Sequence, residues 1–222
     1  MINLRRGSRA TPVKLLQRLL NKKGTLTRLA EDGIFGPRTH AAVLLFQRRE
    51  RLAPDGIVGP RTWRRLGLII DVAHRVEPVG QPTGTSCWSA AATMILGNMS
   101  VGPGSARLVG GGLDSSPSNI RRFAEELGWQ MYYPQSWPIR SLAEVMRMKP
   151  VWVVGGGDAS GGAWAHAVVL SGLWSDGSAD GSGTLVQIHD PWPVQIGSVY
   201  GRFYHGTVHG FDFLSMYLLQ PH

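Results

Sequence analysis

The sequence predicts an α+β protein in two parts: a small three-helix unit, then a larger domain whose N-terminal helices pack on an antiparallel sheet. Three observations carry this expectation. Charge is divided unevenly: residues 1–68 hold 15 Lys/Arg against 4 Asp/Glu, while residues 69–222 hold 8 against 11. An eight-residue motif recurs within the basic part. Beyond residue 80, helical patterns give way to β-branched, strand-like runs. The expected division is residues 1–68, a connector over 69–79, and a second domain over 80–222.

The basic part is read first. Thr11 followed by Pro12 marks a helix start, Val13, Leu16 and Leu20 share a face, and Gly24 can end the helix. The repeat then runs from Asp32 to Thr39 (Asp-Gly-Ile-Phe-Gly-Pro-Arg-Thr) and from Asp55 to Thr62 (Asp-Gly-Ile-Val-Gly-Pro-Arg-Thr), seven of eight positions being identical. Asp-Gly makes a tight turn, the Ile-Phe or Ile-Val pair enters the core, and Gly-Pro opens a helix. The first copy leads into a helix with an apolar stripe through Ala42, Leu45 and Phe46, and the second leads to Trp63 and Leu66. A compact unit this basic is drawn to polyanions, whether nucleic acid, anionic lipid or an anionic cell wall.

Three short helices around two matched turns resemble the type 1 peptidoglycan-binding domain that accompanies bacterial and phage wall hydrolases. The resemblance covers about residues 4–68 and implies peptidoglycan, and not nucleic acid, as the partner. Charge alone does not make that choice.

In the second part, residues 116–128 form a helix opened by Ser116-Pro117 and ended by Gly128, and residues 138–149 form another amphipathic helix. Residues 151–154 make a buried strand. Ahead of these lies Cys87, the only cysteine of 222 residues, which forbids an internal disulfide or a cysteine-rich metal site. The small apolar run that follows it reads as a buried helix, so the thiol sits at a helix N-terminus, where amide hydrogens and the dipole favour thiolate. Gln81, six residues earlier on a Pro/Gly-containing loop, can offer its amide to an oxyanion. His166 begins a β-branched strand, residues 176–183 form a turn, and a strand over 184–190 returns to Asp190. Such a hairpin brings His166 beside Asp190, a base beside its orienting acceptor. His189 competes as a base, but neighbouring strand residues face opposite ways and Asp190 is kept.

Gln81 with its six-residue step to Cys87, Cys-Trp-Ser, His-Ala-Val-Val-Leu-Ser-Gly and Asp-Pro-Trp together resemble papain-like cysteine peptidases over about residues 80–222. The compact bacterial branch, which includes bacteriocin-processing and type III effector peptidases, is the nearer likeness. The resemblance implies Cys87 as nucleophile, His166 as base and acid, Asp190 as orienting residue and Gln81 as oxyanion donor. Here Pro82 follows the glutamine where the plant enzymes have glycine, and the Cys87 to His166 interval is short, so substrate pockets do not transfer.

The expected function is a peptidoglycan-targeted cysteine hydrolase of wall-peptide amides. Its alternatives are a protein-directed peptidase or acyl transferase stationed at the wall, or a non-catalytic wall binder. No cofactor and no metal are expected: His205 and His209 sit four apart, but in a Gly-rich strand-and-turn setting. The glycines at 110–112 and 155–157 lack the lysine and spacing of a phosphate loop. No apolar run reaches the ~18 residues of a membrane span. The start has no apolar signal core, so the expectation is export by phage lysis or contact-dependent secretion to the periplasm or wall. Contact-dependent delivery would imply a cognate immunity protein.

Overall fold

The structure, a computed structural model, describes residues 2–97, 108–109, 111–156, 165–179, 181–192, 197–203, 207–208, 211–212 and 216–222. Its first part contains α1 (Thr11–Lys22), α2 (Pro37–Arg49) and α3 (Pro60–Leu66). Each helix carries proline in its first turn, where a missing amide hydrogen costs nothing.

A buried glutamine knits each repeat to a helix. Gln17 of α1 donates to Asp32 Oδ1 (2.7 Å), the Ile34 carbonyl (3.1 Å) and Thr39 Oγ1 (3.2 Å), and accepts from the Gly33 amide (3.0 Å). Gln47 of α2 repeats the pattern with Asp55 (3.0 Å), Ile57 (2.9 Å), Thr62 (3.3 Å) and Gly56 (3.0 Å). Both amides are buried, and these bonds satisfy polar atoms that would otherwise be costly there. Gly33 and Gly56 have φ of +80° and +71°, which explains glycine at both turns.

Two expectations for this part need correction. Only the second apolar residue of each turn enters the core: Phe35 and Val58 are buried, whereas Ile34 and Ile57 are exposed, because successive extended residues point opposite ways. On α2 the buried face is Thr39, Val43, Phe46 and Gln47, a helical i, i+4, i+7, i+8 row that leaves Leu45 exposed.

The second part is mixed. Its helices are α4 (Cys87–Leu96), α5 (Pro117–Leu127) and α6 (Ile139–Met148). Its main sheet uses β1 (Ile70–Ala73), β4 (Trp129–Tyr132), β5 (Val151–Gly156), β6 (Ala165–Ser175), β7 (Thr184–Asp190), β8 (Gly197–Phe203) and β11 (Met216–Pro221). The order is β4-β11-β5-β6-β7-β8, with β1 also on β6, and every pair is antiparallel. Two short ribbons, β2 (Leu108–Val109) with β3 (Gly112–Leu113) and β9 (Thr207–Val208) with β10 (Phe211–Asp212), lie outside it.

The stretch read as a connector thus supplies β1. It pairs with the far half of the long strand β6, whose near half pairs with β5. Ile70 and Val72 alternate into the core and Asp71 and Ala73 out of it. That two-residue period is what makes a strand of a segment that composition alone marks as a link.

Helices cover both faces of the sheet. On one, Val151, Val153, Val168, Leu170, Val186 and Ile188 pack with Leu142, Ala143 and Met146 of α6. On the other, Trp152, Val154, Ala167 and Val169 pack with Trp88, Ala91 and Ala92 of α4 and Phe123 of α5. Burial on both sides accounts for continuous apolar strands such as Val151-Trp-Val-Val154.

Candidate active site

Cys87 is the first residue of α4, preceded by Ser86 at the N-cap. The small residues Ala90, Ala91 and Ala92 let α4 lie close on the sheet, and the Trp152 indole donates to the Trp88 carbonyl (3.1 Å), pinning the helix start over β5. The thiol is 7% exposed. Before it, residues 83–86 close a turn in which Ser86 N–H meets the Thr83 carbonyl (3.3 Å) and Thr83 N–H meets Ser86 Oγ (3.0 Å).

His166 lies at the start of β6 and Asp190 at the end of β7, as the hairpin requires. The ring Nε2 is 2.7 Å from Asp190 Oδ1. The imidazole also hydrogen-bonds the Cys87 thiol. Burial alone would lower the ring's pKa, but its hydrogen bonds to Asp190 and then to Cys87, with the charge of each, outweigh it and push it up to about 9. Gly155, the register partner of His166, lets β11 come close: a Cβ there would sit 2.4 Å from Met216 Cγ.

Asp190 is held by a contact that sequence reasoning missed. The Trp192 amide donates to its Oδ1 (2.8 Å), a carboxylate bonding the backbone two residues on. The Asp-Pro-Trp order was the available signal. Trp192 itself is exposed beside this turn. Trp164, His205 and His209 lie outside the described residues, as do Gly110 and Gly157.

Gln81 reaches the same strand end through its backbone. Its N–H donates to the Pro191 carbonyl (3.1 Å), so the loop before α4 is tied to the residue after Asp190. Its buried side-chain amide donates to the Thr83 carbonyl (2.7 Å). Gly111 lies against the same loop, a Cβ there meeting Thr85 Oγ1 at 3.2 Å. His189, next to Asp190 but on the opposite face, is buried against Ser171 Oγ (2.7 Å), and burial lowers its pKa. Among the described residues no group of three or more His, Cys, Asp or Glu is placed to hold a metal, and no helix is long and apolar enough to cross a membrane.

The Cys87 thiol at a helix N-terminus thus shares the His166 imidazole with the Asp190 carboxylate over a helix-covered antiparallel sheet in a domain of mixed α+β class. Residues 69–203 match the family of the papain-like cysteine protease AvrRpt2, and the chain belongs to that family. Ahead of it, residues 9–66 match the peptidoglycan binding domain family. None of the curated proteins matches the chain. Among solved structures, the crystal structure of Burkholderia AP3 phage endolysin is similar at 44% identity, over 30% of this chain and 25% of that chain, with a TM-score of 0.28. The match therefore spans a quarter of the endolysin's length.

Proposed function

We propose that the chain is a peptidoglycan-directed cysteine hydrolase that cuts amide bonds of wall peptides, with the unit over residues 1–68 binding the wall and that over 80–222 carrying the chemistry. The observation that supports it is His166 held between the Cys87 thiol and the Asp190 carboxylate, beside a domain of the peptidoglycan-binding family. Cys87 gives its proton to His166 and Sγ attacks the amide carbonyl, the C–N bond breaks, and His166 passes that proton to the leaving amine. Water then adds to the thioester, giving its proton to His166, and releases the carboxylic acid and the thiol. Asp190 keeps Nε2 occupied, so that Nδ1 serves the sulfur. Gln81 spends one N–H on Thr83 and has the second for the oxyanion. The site of action is the wall or periplasm, reached by phage lysis or contact-dependent secretion. In the second case a cognate immunity protein would close over Cys87.

Purified sacculi incubated with the native protein and with Cys87→Ala provide the test, read by mass spectrometry of the released muropeptides. New amines and shortened stem peptides from the native protein alone are expected, with both proteins pelleting with the wall. An unchanged muropeptide profile alongside casein cleavage would make the protein a protein-directed peptidase instead. Equal pelleting with no chemistry on either substrate would leave a wall binder.

A further inference from the structure

The junction between the two parts has almost no slack. Leu68 is buried in the core of the first domain and Ile70 in that of the second, leaving Ile69 as the one residue between them. Linkers that allow domain motion are longer, polar and crossed by few contacts. Here Trp174 of β6 and its register partner Leu185 of β7 are buried in the same apolar cluster as Leu15, Trp63 and Leu68. The Trp174 indole is fixed in turn by Asp71 of β1 (2.8 Å).

Polar contacts flank this seam. From α1, Arg18 Nη2 donates to Ser182 Oγ (2.6 Å) and Lys22 Nζ pairs with Asp176 Oδ2 (2.6 Å). Both partners belong to the turn joining β6 to β7. That turn is pre-shaped: Asp176 Oδ1 accepts from the Ser178 amide (3.0 Å) and hydroxyl (2.6 Å), and Gly183 N–H donates to Ser178 Oγ (3.1 Å). Burial would raise the Asp176 pKa, yet the Lys22 and Ser178 bonds hold it below the ordinary value.

The turn gripped by α1 is the far end of the hairpin that carries His166 and Asp190 at its other end. From Thr184 to Asp190 the strand rises about 20 Å, at ~3.3 Å per residue. We infer that the two domains move as one rigid body, the peptidoglycan-binding domain setting the reach of the thiol along the hairpin rather than acting as a swinging tether. A tether raises local concentration over a range of distances. A rigid mount presents the thiol only to peptides at one offset from the bound wall element. The docking stands on the contacts above, and its consequence for the wall rests on the proposed function.

Spin labels at Leu26→Cys and Met148→Cys, both at exposed positions on opposite sides of the seam, in a Cys87→Ala background, test the docking by pulsed EPR. One narrow distance distribution, unchanged by sacculi, is expected, and a broad or multi-peaked distribution overturns the inference. A second full-length chain carries Asp176→Lys and a flexible Gly/Ser insertion of about 12 residues between Leu68 and Ile69. The labelled Cys87→Ala form of this chain should give a broadened distribution, and its unlabelled form with Cys87 intact a wider muropeptide set, while turnover of a soluble peptide substrate by that unlabelled form stays within about twofold, which controls for folding. A broadened distribution with an unchanged muropeptide set overturns the fixed reach. Failure of the wall-directed reading would show separately, as no wall products from the native chain, with the EPR result unaffected.

Discussion

Replacing Asp190 by alanine removes the partner that most raises the His166 pKa. In the native protein the ring titrates at about 9, so at pH 8 roughly 90% of it carries a proton. Without the carboxylate the ring falls toward its ordinary value of 6.5, burial pulling it down while the Cys87 hydrogen bond still holds it up. A ring that fell all the way to 6.5 would be only about 3% protonated at pH 8, so titration alone sets a ceiling of about thirtyfold on the loss. On the proposed mechanism the protonated ring gives the leaving amine its proton, so the alkaline limb of kcat/KM should move down by up to about two pH units, with a further loss from the freed ring. The assay is amine release from sacculi across pH 5–10, paired with NMR titration of the His166 ring. Asp190→Asn keeps an acceptor for Nε2 and should fall between native and alanine. A ring that still titrates near 9 in Asp190→Ala would refute the reasoning whatever the substrate.

Stability should peak near neutrality. The raised pKa of His166 contributes stability that is complete below 6.5 and lost as pH rises toward about 9. His189, whose pKa burial lowers, acts in the opposite sense: its contribution is complete above 6.5 and lost as pH falls below it. Thermal melting against pH checks both, and Asp190→Ala should flatten only the alkaline side. Gln47→Leu should cost about 3 kcal/mol in chemical denaturation, because the Gly56 amide and the Ile57 carbonyl lose their buried partner. Gly155→Ala should cost about 1–3 kcal/mol by crowding Met216. It should also lower activity in Cys87-dependent assays, since the displaced strand is the register partner of His166.

Local chemistry was legible in the chain itself. Pro117 in the first turn and the left-handed Gly128 bound α5, because both act within one helical turn, although Ser116 makes no side-chain capping bond. The Asp-Gly turns, the β6–β7 hairpin and the pairing of His166 with Asp190 were legible for the same reason: each is set by residues close in sequence or by a single strand return. The period of two implies that His189 and Asp190 cannot both face the same way, and in the structure one meets Ser171 and the other His166. Buried glutamines were not legible. Gln17 and Gln47 look like ordinary helical polar residues until the turns 15 and 8 positions away fold over them.

What the sequence by itself determined is therefore the α+β class, the repeat, and the placing of His166 beside Asp190, because periodicity and turn residues are properties of short stretches. Only the tertiary structure decided that Ile70 to Ala73 joins the sheet, that Trp192 and Pro191 tie Asp190 to the Gln81 loop, and that α1 grips the Asp176 turn. Those contacts join residues as much as 164 positions apart. Their partners are chosen by which surfaces the cores leave adjacent, and no local pattern encodes that adjacency.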